Sequence, residues 1–185
     1  MAGGFLGDFV KGRLNGQRPN ELEAGIKLHR AIDVFTDRHV QVKTSHRRFP
    51  AHLRRFAPIV TDIVYDHFLA KYWDQFHTAQ SLPAFSQKAY QSVKAHQTHL
   101  PDQAAFVIER MESVDALAAY KNYAFVESAL VRLSQRITRE NSLAQSYGFF
   151  LTIEKELFVD FGLFFPELVT FSQQWIANAA TQDPS

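Results

Sequence analysis

Apolar residues recur at three- and four-residue intervals along most of the chain. Leu22, Ile26, Ile32 and Phe35 keep that spacing from Asn20 to residue 36, and Ile59, Ile63, Phe68, Leu69, Tyr72 and Trp73 repeat it after Pro58. A period near 3.6 places such positions on one side of a helix, so both stretches predict amphipathic α-helices. Asp37-Arg38-His39 closes the first, and Pro58 suits the opening turn of the second. Further helices are expected over residues 40–49, closed by Pro50, and over 85–96, 101–111, 116–120 and 125–137. A last one runs from Leu143 through Trp175 with a break near Gly162 to Pro166. Residues 4–11 form a short apolar-periodic piece, the tail of a helix, and Gly12 to Pro19 reads as a loop. β-Branched residues rarely alternate, so strands are not expected. The expected fold is all-α, a single compact bundle of about seven to eight helices around an aromatic-rich core. It spans residues 1–185 as one domain, with 180–185 as a frayed tail.

A chain of 185 residues can bury a sizeable core without covalent staples. It has no cysteine, which excludes disulfides, thiolate metal ligands and a cysteine nucleophile, and which suits a reducing compartment such as the cytoplasm. Of its 17 Phe, many fall between Phe149 and Phe171. Glu154, Lys155, Glu156, Asp160, Pro166 and Glu167 interrupt that run too often for a membrane span of ~20 apolar residues. The opening residues lack the pattern of a signal peptide.

The formal net charge of +1 argues against a nucleic-acid binder of basic overall character. Charge is nevertheless uneven. No acidic residue occurs from Arg38 to Thr61, a stretch that carries Arg38, Lys43, Arg47, Arg48, Arg54 and Arg55. This is either a positive surface for an acidic partner or a phosphate-bearing substrate, or an ordinary solvated face.

His29, Asp33 and Asp37 stand at i, i+4 and i+8, which keeps an imidazole and two carboxylates within one broad helix face. On the helix after Pro58, Asp62 and Asp66 are again i, i+4, with His67 about 100° further round. If the two helices pack together, these groups can build a divalent-metal site suited to hydrolysing a phosphate ester. If they do not, both sets are wet faces, since i, i+4 pairs are ordinary surface neighbours. No Gly-x-Gly-x-x-Gly, Gly-x-x-x-x-Gly-Lys, His-Glu-x-x-His or Gly-x-Ser-x-Gly motif competes.

Four ordered blocks carry a resemblance. They are Gly7-Asp8-Phe9-Val10-Lys11-Gly12, Gly25 through Asp37 (GIKLHRAIDVFTD), Arg54-Arg55-Phe56-Ala57-Pro58-Ile59, and Asp62 with Asp66-His67-Phe68-Leu69. Together they resemble the acyl carrier protein phosphodiesterases. The resemblance implies a fold like that of the helical His-Asp metal-dependent phosphohydrolases. It implies hydrolysis of the phosphodiester that joins 4′-phosphopantetheine to a serine of holo acyl carrier protein, with a divalent metal, Mn2+ or Mg2+. Asp8, His29, Asp33, Asp66 and His67 would then hold the metal and its water. Asp37 and Asp62 would orient those groups or handle protons, and Arg30 would contact the phosphodiester. The basic stretch would dock the acidic carrier protein. Members of the family usually carry a segment like Asn-Tyr-Leu-Ala-His-Leu ahead of the first block, which this chain is expected to lack. Two other readings stay open: an inactive helical module that binds an acidic protein, and a related phosphohydrolase acting on a small phosphodiester or nucleotide.

Overall fold

A computed structural model describes residues 1–182. They form eleven α-helices and two short 3-10 turns, and no strand occurs among the described residues. None of these helices is long and apolar enough to cross a membrane. Residue contacts group the chain into two compact units. The first contains Met1–Thr36, Pro83–Ala116 and the chain from Glu167 onward, and the second contains Asp37–Leu82 and Leu117–Pro166.

In the first unit, α1 (Ala2–Leu6) lies against α2 (Asn20–Arg38). A Cβ at Gly3 would stand 2.7 Å from the Cα of Gly25, and one at Gly25 equally close to the Cα of Gly3, so the helices touch backbone to backbone. The expected piece at 4–11 is helical only to Leu6. Beyond it the N–H groups of Phe9 and Val10 both bond back to the Leu6 carbonyl, turning the chain out of the helix. Gly12 and Gly16 have φ of 77° and 74°, left-handed values that explain glycine at both positions in the following loop. The loop is tied to α2 by the Gly16 N–H, which donates to the buried Glu23 carboxylate at 2.9 Å. Glu21 and Glu23 in the first turn and Arg38 in the last complement the α2 dipole, while Leu22 and Ile26 bury its inner face. In the same unit, α6 (Leu82–Lys94) and α7 (Asp102–Ser113) are joined by a Lys94–Glu112 ion pair at 2.8 Å.

The second unit is built around α4 (Ala57–Lys71), which buries nine of its residues. Apolar or aromatic side chains cover most of its circumference, as expected of a core helix, and Asp62 and Asp66 mark its water-facing stripe. Around it stand α3 (Val40–Arg48), α5 (Trp73–Phe76), α9 (Tyr123–Arg136), α10 (Ser146–Thr152) and the first half of α11 (Glu154–Gln182). Phe68 meets Phe150, Phe158 and Phe161, and Phe76 meets Phe161 and Phe165, so the phenylalanine-rich run serves as core. Two basic–acidic contacts bind this unit. The Arg48 guanidinium forks onto the buried Asp160 carboxylate at 2.7 and 2.9 Å, and the Ser45 hydroxyl adds a third bond at 2.8 Å. Lys71 Nζ, Tyr123 Oη and Glu154 Oε1 form a triangle with sides of 2.5, 3.1 and 2.5 Å.

The remaining differences from the expected elements have local causes. α6 starts at Leu82 rather than 85, because Pro83 fits a helix's first turn. α11 continues through Pro166 without the expected break, and its helix extends to Gln182. Residues 183–185 lie outside the described residues. Pro166 removes one N–H from the helix, the bond that Gly162 would have accepted, and Gly162 is exposed so that its carbonyl can turn to water.

Candidate functional site

In the first unit, the α1–α2 crossing sets Asp8 beside His29. His29 Nε2 lies 3.6 Å from Asp8 Oδ1 and 3.3 Å from Asp33 Oδ2, the latter one helical turn along α2. Both carboxylates face water, with side-chain exposures of 71% and 58%, whereas His29 is largely covered at 22%. The imidazole is therefore the fixed member and the carboxylates are its solvent-side partners. Arg30 Nη2 donates to the Val10 carbonyl at 2.8 Å, which ties the turn bearing Asp8 to α2. One of the five N–H donors of the guanidinium is spent on that tether.

The other expected site residues, Asp37, Asp62, Asp66 and His67, belong to the second unit. Asp37 is exposed, and its charge acts on His46, although burial dominates there and lowers the His46 pKa. Asp62 and Asp66 share the water-facing stripe of α4. The Asp66 carboxyl is reached by water yet crowded by protein: desolvation first, and then the Asp62 charge, push it up to about 7. Tyr120 feels the same two carboxylates, and burial with their charges raises its phenol above the usual value. His67 sits elsewhere on the helix. It is fully buried against Tyr123, Phe68 and Phe150, and its Nδ1 lies 2.7 Å from the Tyr120 carbonyl. A carbonyl only accepts, so Nδ1 carries the proton and Nε2 is the acceptor, and among the described residues that Nε2 has no hydrogen-bond partner. Burial lowers the His67 pKa and holds the ring neutral.

The raised Asp66 value has a definite sign. The folded protein holds this proton more tightly than the unfolded chain, so the Asp66 contribution to stability is greatest below about 4 and is lost as pH rises from there through about 7. Asp66→Asn is expected to flatten that part of the profile and to be the more stable protein at pH 8. Urea unfolding of both proteins in metal-free buffer at pH 5 and pH 8 checks it, and identical slopes would remove the Asp66 assignment.

On the donor set, His29 with two carboxylates offers one imidazole nitrogen and hard carboxylate oxygens, the chemistry of a divalent-cation site. The buried His67 Nε2, its ring fixed by a backbone carbonyl, has the arrangement usual for a metal-ligating histidine. Among the described residues, no group of three or more His, Asp or Glu side chains is gathered in metal-holding geometry.

The basic stretch divides in use. Arg38, Lys43, Arg47, Arg54 and Arg55 are exposed, and Lys43 and Arg47 share one face of α3. Arg54 donates to the Phe49 carbonyl, and Arg55 reaches the Glu140 carbonyl while lying 4.5 Å above the Phe56 ring. Arg48 is engaged by Asp160. Sequence reasoning missed Gly7, Val10, Tyr120 and Asp160. Gly7 stands in a quoted motif, but nothing in the spacing of the others marks them.

A profile of the acyl carrier protein phosphodiesterases matches residues 1–168. A Yersinia pestis protein of that name is 35% identical over 147 residues, covering 80% of this chain and 76% of the relative. One from Photorhabdus laumondii is 32% identical over 178 residues, covering 96% and 88%. One from Escherichia coli is 31% identical over 147 residues, covering 80% and 76%. No solved structure matches significantly. The motif blocks, the profile and these relatives agree over most of the chain, which belongs to the acyl carrier protein phosphodiesterase family.

Proposed function

We propose that this chain is a metal-dependent phosphodiesterase that releases 4′-phosphopantetheine from holo acyl carrier protein. The observation that carries the reading is the His29 imidazole held between Asp8 and Asp33 on segments that match the family. In the reaction, water oxygen bonds to phosphorus and the bond from phosphorus to the serine oxygen breaks. A proton passes to that serine oxygen, leaving apo-carrier and 4′-phosphopantetheine. A divalent cation, Mn2+ or Mg2+, would be held by His29 with Asp8 and Asp33, and would lower the pKa of bound water and offset phosphoryl charge. Asp33 orients the imidazole through its i, i+4 contact, and Arg30 fixes the turn that presents Asp8. A role for Asp37, Asp62, Asp66 and His67 in the same chemistry, and kinship with the His-Asp phosphohydrolases, rest on the family resemblance. Action in the cytoplasm belongs to the same reading and suits a chain without cysteine.

The test is direct. Purified protein is stripped with chelator, given Mn2+ or Mg2+, and incubated with holo-carrier, and the carrier mass is followed. Loss of the 4′-phosphopantetheine mass only when metal is present is the expected result. Carrier binding without turnover under any metal would establish the inactive-binder reading, and turnover of small phosphodiesters alone would establish the third.

Docking gives a separate prediction. Lys43→Glu with Arg47→Glu reverses two exposed charges on α3. The pair is expected to raise KM for the acidic carrier about tenfold at low salt, with kcat little changed, and the difference should shrink as salt is added. An unchanged KM would detach this face from the carrier.

A further inference from the structure

We propose that Gly7 is the positioning residue for His29, its missing side chain being the space that the imidazole occupies; the assignment rests on the phosphodiesterase reading for its functional meaning. Gly7 is buried at the end of α1, with φ −54° and ψ −36°. Those are right-handed helical values that any residue adopts, so the backbone gives no reason for glycine at this position. The reason is spatial. A Cβ built on Gly7 would run into Cδ2 and Cγ of the His29 ring and lie 2.8 Å from its Cβ. Gly4, one turn earlier on the same helix, has nothing within 4 Å of such a Cβ.

His29 is thus packed on Gly7 and meets Asp8, the next residue along, and Asp33 through Nε2. The ring cannot yield to a methyl group at position 7 without moving Nε2 relative to both carboxylates. Backbone and geometry together separate this glycine from the usual helix-ending kind, which is selected for a left-handed conformation.

Gly7→Ala and, as control, Gly4→Ala are made in the full chain. The first readout is the 1H–15N resonances of the His29 ring in metal-free protein, assigned by their loss in His29→Gln. The second is kcat and KM on holo-carrier. Gly7→Ala is expected to shift the His29 ring resonances and to lower kcat about 10- to 100-fold with KM within about twofold. Gly4→Ala should match the parent in both. Unmoved His29 resonances in Gly7→Ala would overturn the proposal.

A double-mutant cycle covers the case in which Gly7→Ala folds poorly. In a His29→Ala background the ring is gone, and Gly7→Ala is expected to lower the thermal midpoint far less than it does beside His29. An equal loss in both backgrounds would overturn the proposal. Absence of turnover in the parent protein would count against the phosphodiesterase reading, while the ring resonances and the cycle still decide the part played by Gly7.

Discussion

Asp33→Ala is expected to cut metal-dependent release of 4′-phosphopantetheine by about 100-fold or more while leaving the helical circular-dichroism signal unchanged. The separation of effects comes from exposure. The Asp33 side chain is 58% exposed and makes its close approach to His29 Nε2 at 3.3 Å, so its removal costs no core packing. Stability should move by no more than about 0.5 kcal/mol, the range of surface substitutions. On the proposed reading, what would be lost is a carboxylate that orients the imidazole and would offer an oxygen to the cation. Asp33→Asn keeps the shape and removes the charge, and it should retain little more activity than the alanine variant. The measurement is carrier mass after incubation with Mn2+, alongside an unfolding curve for each protein. Full activity in Asp33→Ala would take the His29 trio out of the chemistry.

The largest stability effect is expected at Arg48. Asp160 is 2% exposed and Ser45 fully buried, whereas the Arg48 side chain is 31% exposed. Removing the arginine strands a carboxylate inside protein with only the Ser45 hydroxyl as donor among its described partners, at a cost of about 3–5 kcal/mol. Removing the acid instead, as in Asp160→Leu, lets the guanidinium turn toward water and fills the space with an apolar side chain, so the loss should be about 1–3 kcal/mol. The order of the two variants in urea unfolding is the decisive result. Equal losses, or a larger one for Asp160→Leu, would mean that the pair is not organised around the buried acid. This also explains why one member of a run of basic residues behaves unlike the others: it is a strut between α3 and α11.

The helices that position the site were legible because their apolar residues repeat over several turns. That holds for α2 and α4, where periodicity and end signals agree, whereas α3 was marked by the closing Pro50. The run through Pro166 was misread because proline is a strong local stop signal. Aromatic contacts on each side of it, Phe161 with Phe68 before and Phe171 with Phe35 after, offset the roughly 3 kcal/mol a mid-helix proline costs. At the site, the His29–Asp33 pair follows from i, i+4 spacing alone. Asp8 was reachable only through the resemblance, since its approach to His29 depends on a helix crossing that no local pattern encodes. The separation of His67 from Asp66 was implicit in the 100° step between neighbours, and burial supplied the rest: the exposed carboxylate stays on the wet stripe while the imidazole enters the aromatic core. Tyr120 joins their surroundings from a distant part of the chain, and no spacing rule predicts it.

The backbone contact between Gly3 and Gly25 has an evolutionary reading. A methyl group at either position would wedge α1 away from α2, and the turn that carries Asp8 follows α1 directly. Substitution at one glycine cannot be repaired by a smaller neighbour, because the neighbour is already the smallest residue available. Among active relatives, positions 3 and 25 should therefore behave as a single inherited character, both glycine or both altered along with the angle between the helices.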